Sequence, residues 1–241
     1  MAEPKDPRRP ATQPGTFARL LTGIAQCLKW LVLSLLFSIV IEWIGMLFWW
    51  DEQGLQHSRQ MFTNELDYLS EDFRRSVITS NPLQFAQRVV EGIYYALFEF
   101  THLEDLIHWL AQPVAGEGFR VTLHQGYQTV ANFVLAALQI TQVFSVRLAI
   151  LMLATPVFGL VALVGLVDGL VRRDLRRWGG GRESSFVYHY TKKAAMPLIM
   201  MAWVIYLSLP FSLHPSWVIL PFALGFGFAV TVTASTFKKY L

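Results

Sequence analysis

Four residues of metal-ligand type, His102, Glu104, Asp105 and His108, crowd one short stretch of the chain. His102, Asp105 and His108 are each three apart, a spacing that places them along one helical face. No second ligand pair of the HExxH kind stands nearby. The cluster therefore reads as a solvated polar face. The run Gly179-Gly180-Gly181-Arg182-Glu183-Ser184-Ser185 has the glycine content of a phosphate-binding loop, but no Gly-Lys-Ser/Thr ends it and no strand precedes it. It reads as a flexible corner with a basic rim, suited to anionic lipid headgroups or to an acidic surface on a cytosolic partner. Glu42 and Asp168 stand inside long apolar runs. An intramembrane carboxylate is costly and is a functional candidate by default, but a proton relay needs several ionisable groups at one depth. Only Glu42 stands at its depth, so it reads as an acid hydrogen-bonded within a bundle or near the outer interface. Asp168 lies four residues before Arg172, the spacing of a helical ion pair. Cys27 is the only cysteine, which excludes an intrachain disulfide and any CxxC site. Nothing brings a Ser/His/Asp or Cys/His set together. No catalytic residue, metal or cofactor is assigned, and the expectation is a protein that is not an enzyme.

The elements around these residues are apolar. The 241-residue chain is 54% hydrophobic and only 15% charged, and its charges are clustered. Apolar runs at 28–50 and 148–171 exceed the roughly 18 residues that cross a bilayer, and 194–211 and 217–237 come close to that length. The fold class expected is all-α: an integral membrane protein with four transmembrane helices and an extracytoplasmic helical domain between spans 1 and 2. Basic residues orient the spans, because cytoplasmic loops retain Lys and Arg. Lys5, Arg8, Arg9, Arg19 and Lys29 precede or open the first span. Arg172, Arg173, Arg176, Arg177, Arg182, Lys192 and Lys193 lie between the second and third, and Lys238 and Lys239 follow the last. The connector between the first two spans is acidic. Both termini and the basic loop are therefore placed in the cytoplasm.

The organisation expected is a disordered cytoplasmic tail over 1–15 and a lead-in helix with the first span over 16–50. The extracytoplasmic helical domain takes 51–144 and the second span 145–171, which begins near Arg147 so that its guanidinium reaches lipid headgroups. A basic cytoplasmic loop follows over 172–193, then a transmembrane hairpin over 194–237 and a stub over 238–241. Within the outer domain, Met61, Leu66, Leu69, Phe73 and Val77 predict one amphipathic helix. Ser80-Asn81-Pro82 starts a second that runs to about Trp109. A third, from about Arg120, is so long and apolar that its first part, 122–144, must lie outside the hydrocarbon. Pro156 is expected to kink the second span. Small residues recur at interval four: Gly165 and Gly169 in one span, and Ala223, Gly227, Thr231 and Ser235 in another. Such faces let helix backbones approach closely, either within the chain or against a partner.

The segment 172–193, with Arg-Arg-Asp-Leu-Arg-Arg, the triple glycine, Arg-Glu-Ser-Ser-Phe and Tyr-His, resembles integrating-conjugative-element membrane proteins. The flanking runs match in size and spacing, so the resemblance extends over most of the chain from about Thr16. It implies a bacterial inner-membrane part of a conjugative type IV secretion apparatus. The partner it implies is the coupling ATPase of the machine, in a hetero-oligomer with membrane lipids around it and no direct nucleic-acid contact. The family has no established catalytic residues to carry over. The other reading is a membrane sensor or small transporter with an outer helical domain. A sensor needs an output domain, and a transporter shows repeated broken helices with midplane polar groups; neither stands in the sequence.

Overall fold

The computed structural model describes residues 16–50, 54–72, 76–112, 119–179 and 185–237. Every element among them is helical: α1 (Thr16–Phe48), α2 (Leu55–Asp72), α3 (Pro82–Tyr94), α4 (Leu103–Ala111), α5 (Phe119–Trp178), α6 (Ser185–Ser208) and α7 (Pro215–Thr236). The predicted start at Asn81-Pro82 is the start of α3, where the Asn81 side chain accepts from the Gln84 amide at 3.3 Å and Pro82 fills the first turn. The long second helix expected beyond it is divided. A π-helical turn, Tyr95–Glu99, ends α3, and His102 takes the left-handed conformation (φ 55°) before α4 begins. Helix α2 is described over Leu55–Asp72, and Val77 lies outside it, 91% exposed, rather than on its apolar stripe; Phe73 is outside the described residues.

Helix α5 organises the molecule. Its 60 residues run about 90 Å at 1.5 Å per residue. Pro156 lies inside it, and the Thr155 hydroxyl donates to the Leu151 carbonyl at 3.0 Å beside the missing bond. Helices α2 and α3 pack on its first half, α7 runs along its second half, and α6 packs chiefly on α7. The core gathers around the middle of α5. There Val146, Ile150, Leu153 and Phe158 meet Ala202 and Leu207 of α6 and Ile219 and Ala223 of α7.

The sequence predicts a loop from 172 to 193. Instead α5 carries Arg172, Arg173, Arg176 and Arg177 in its last turns, and α6 already contains Lys192 and Lys193. Cations at a helix C-terminus complement its dipole, so this charge run extends α5 rather than ending it. Arg182 lies outside the described residues.

Three stretches among the described residues are long and apolar enough to cross a membrane: Leu20–Phe48, Val130–Trp178 and Pro215–Thr236. Their outward faces carry no polar cover: Leu36 is 55% exposed, Leu163 66%, Val167 62% and Phe228 68%. Contiguous apolar surface on that scale suits lipid and not water, and makes this a membrane protein. Helix α6 is less apolar, because Lys192 and Lys193 occupy its early turns.

Candidate functional site: a buried polar layer and a glycine seam

Glu65 of α2 and Arg147 of α5 are each about 1% exposed or less, and they meet in an ion pair. Arg147 Nε donates to Glu65 Oε1 at 2.8 Å, and Nη2 lies 2.8 Å from the same oxygen. The Tyr206 hydroxyl of α6 donates to Glu65 Oε2 at 2.7 Å. The rest of the guanidinium fork reaches the backbone just past the end of α6. Nη1 donates to the Leu209 carbonyl at 2.6 Å and Nη2 to the Phe211 carbonyl at 2.9 Å. Helix C-termini leave carbonyls without partners, and a planar five-donor group can serve several of them at once. Arg147 therefore ties three helices together at one level. This corrects the expectation that it reaches out to headgroups. Its side chain points into the bundle because Glu65 supplies the opposite charge there and the α6–α7 turn supplies the acceptors.

Sequence reasoning missed Glu65 and Tyr206. The signal was available for Glu65. Ser58, Met61, Glu65 and Leu69 recur at three or four residues, and all are buried to 3% exposure or less, so this acid stands in the apolar stripe of α2. Nothing comparable marked Tyr206, an aromatic in an apolar helix.

Glu42 lies one layer away, 1% exposed, with both oxygens 3.1–3.2 Å from His57 Nδ1 on α2. It is thus hydrogen-bonded within the fold. The Trp50 indole stacks on the His57 ring at 4.0 Å between centroids. Trp50 reaches this position by lying across Gly45, where a side chain would collide with it. Ser58 and Gln139 extend the layer. The Gln139 amide, oriented to satisfy both ends, donates to Ser58 Oγ at 2.6 Å and accepts from Arg59 Nε at 3.0 Å. Trp43 Nε1 donates to the Phe133 carbonyl at 2.9 Å. Glu65 and Arg147 are partnered with each other, and Glu42 with His57. The layer joins α2 to α1, α5 and α6, and the buried Trp50 indole N–H stands beside it without a hydrogen-bond partner among the described residues.

The small-residue faces of α5 and α7 meet each other. A Cβ added to Gly165 would stand 2.5 Å from the Gly227 carbonyl oxygen, and one on Gly169 would stand 2.5 Å from the Thr231 carbonyl oxygen. Ala223 and Thr231 are buried along the same seam. The two backbones come this close only because both sides lack bulk.

Residues 49–238 match the family of DtrJ-like proteins, described as IncC plasmid conjugative DNA transfer protein DtrJ-like. The chain belongs to that family. No curated protein and no solved structure matches it. The resemblance to conjugative-element proteins thus holds at the level of conjugative DNA transfer.

The remaining predicted residues of this DtrJ-like chain fall at two places. At the far end of α5, Arg172 Nε pairs with Asp168 at 2.9 Å, as its spacing predicts, with both side chains substantially exposed. Arg176 donates to the Ser235 carbonyl at the end of α7. Arg173 stands over the Phe237 ring and Lys192 over the Tyr188 ring. On α4 and the turn before it, His102 meets Asp105 at 3.0 Å and His108 meets Glu104 at 3.8 Å, all four at the surface or half-buried. The Tyr94 hydroxyl nearby has its pKa raised, by partial burial first and then by the Glu104 charge. Among the described residues no group of three or more His, Cys, Asp or Glu side chains is placed to hold a metal ion.

Proposed function

We propose that the chain is a non-enzymatic inner-membrane subunit of a conjugative type IV secretion apparatus, of the kind that integrating conjugative elements carry. In this reading it binds and supports the coupling ATPase that drives DNA through the machine. The observation that carries it is the match to a conjugative DNA transfer family over 49–238, in a chain whose α1, α5 and α7 hold stretches long enough to cross a membrane.

The reading includes four spans: α1, the part of α5 beyond Arg147, α6 and α7. Helix α6 is the fourth because it pairs along α7, and its C-terminal end meets Arg147 at the level where α5 leaves the outer segment. In this reading 172–193 and both termini are cytoplasmic and 51–144 is outside, supported by the basic residues of α5 and α6, which collect at the opposite end. The glycine seam is occupied within the chain, so the partner's helices are assigned to α1. That helix packs on α5 and α6 over only part of its surface and leaves Leu33, Leu36, Phe37 and Val40 open. The subunit is one member of a hetero-oligomer and does not contact DNA itself.

The test is purification of the tagged protein from native membranes in mild detergent, together with DNA-transfer frequency in a deletion strain. The ATPase is expected in the eluate, and transfer is expected to collapse without the subunit. Normal transfer in the deletion strain, with no ATPase recovered, sinks the assignment.

A further inference from the structure

At the basic end of the bundle α5 and α6 hardly touch, because each packs on α7 instead. The wedge between them is a cleft of about 400 Å³, floored by Val230 of α7 and walled by Leu166 and Leu170 of α5. Two cations stand in its lining, Arg173 from α5 and Lys192 from α6. Each is steadied by an aromatic ring: the Arg173 guanidinium lies 5.5 Å from the Phe237 centroid, and the Lys192 ammonium lies 5.8 Å from that of Tyr188. Neither forms an ion pair with Asp or Glu among the described residues, whereas Arg172 beside them does. The cleft therefore combines apolar walls with two positive charges that no Asp or Glu among the described residues pairs.

We propose that this cleft binds one anionic phospholipid of the surrounding leaflet, its phosphate between Arg173 and Lys192. The depth is right for a lipid. Arg173 stands two residues past the apolar stretch 148–171 of α5, and Lys192 two residues before the apolar stretch 194–211 of α6, so both cations stand where hydrocarbon gives way to headgroups. The acyl chains continue along an open apolar track, Leu163 and Val167 on α5 and Met196 and Met200 on α6, each 58–68% exposed. A protein helix would fill the apolar walls equally well but would leave the two cations unmatched. A free phosphate would satisfy the cations and leave the walls bare. The proposal rests on the membrane placement of α5 to α7 and is independent of the coupling ATPase.

The experiment is native mass spectrometry of the full chain, delipidated in detergent and titrated with dioleoyl phosphatidylglycerol or dioleoyl phosphatidylcholine. One lipid adduct that prefers phosphatidylglycerol is expected. The double variant Arg173→Gln/Lys192→Gln is expected to weaken it roughly thirtyfold, taking about 1 kcal/mol for each cation. The variant Arg177→Gln/Lys193→Gln removes the same charge at the same end, outside the cleft, and is expected to change binding little. Ala195→Trp fills the cleft with both cations kept and is expected to abolish the adduct. Equal binding of the two lipids, or equal loss in both double variants, overturns the site. So does displacement of the adduct by millimolar inorganic phosphate. Helical circular dichroism and monodisperse elution are checked for each variant. If alkaline carbonate strips the wild-type chain from membranes, the membrane placement fails, and the site with it. A chain that stays in the membrane and shows no lipid preference fails at the site alone.

Discussion

The two halves of α5 are held by opposite means. The N-terminal half, up to Arg147, is fastened by charge and hydrogen bonds: Glu65, Tyr206, Gln139 and the turn carbonyls of the α6–α7 hairpin all engage named donors or acceptors. The C-terminal half is fastened by the absence of side chains, with Gly165 and Gly169 against the backbone of α7. The difference follows the surroundings. Where lipid tails are as apolar as the helix faces, burying leucine gives little advantage, and close backbone packing takes its place. At the Arg147 level a buried polar layer specifies which helices meet. Its geometry fixes register in a way that a smooth apolar face cannot.

The polar fastening should be the costlier to break. Arg147→Met leaves Glu65 buried without its counter-charge and frees the Leu209 and Phe211 carbonyls. Removing one member of a buried pair costs about 3–5 kcal/mol, more than the pair itself contributes, because the remaining charge stays out of water. Arg147→Lys keeps the charge but cannot divide itself between a carboxylate and two carbonyls, so it should fall between wild type and methionine. Unfolding in detergent titrated with dodecyl sulfate measures both. A methionine variant as stable as wild type would mean that the layer does not hold α2 to the bundle.

The glycine fastening is tested by a methyl group. Gly165→Ala places a Cβ 2.5 Å from a backbone oxygen, which no side-chain rearrangement can relieve. Overpacking of that kind costs about 1–3 kcal/mol. Gly126 lies in the same helix with nothing within 4 Å of its would-be Cβ. There the same substitution should stabilise by up to about 1 kcal/mol through helix propensity. Opposite signs at two glycines of one helix sharpen the comparison. The same sign at both would show that the seam is not close-packed.

The two fastenings also differ in how far the sequence discloses them. The glycine spacing in α5 and the small-residue ladder in α7 are visible as intervals of four, although the intervals alone do not say whether they pack on each other or on a partner. The Asn81-Pro82 start and the Asp168–Arg172 pair are equally local and form where expected. The polar layer is non-local. Glu65 and Arg147 are 82 residues apart, and Glu65 and Tyr206 are 141 apart, so no spacing rule connects them. Only the charge within the α2 stripe hints that one member is buried. The extension of α5 to Trp178 was hidden for a different reason. Arginines read as loop residues by composition, but they are good helix formers, and in a last turn they favour the helix dipole.

The weakest expected effect lies where charge meets solvent, at the far end of α5. Asp168 and Arg172 make an ion pair as short as that of Glu65 and Arg147, 2.9 Å against 2.8 Å. Distance alone would rank them together. Exposure separates them: the Asp168 and Arg172 side chains are 45% and 63% exposed, while the buried pair is at 1% or less. Water already solvates the exposed charges, so their mutual attraction adds little, and either one left alone is still hydrated. Asp168→Asn should therefore change stability by no more than about 0.5 kcal/mol, and by less as salt is raised. The measurement is the same detergent unfolding curve at low and high ionic strength. A loss of several kcal/mol that persists in high salt would mean that the assembled bundle shields this pair as it shields Arg147. The contrast between the two ends of α5 would then lie in their partners and not in charge against packing.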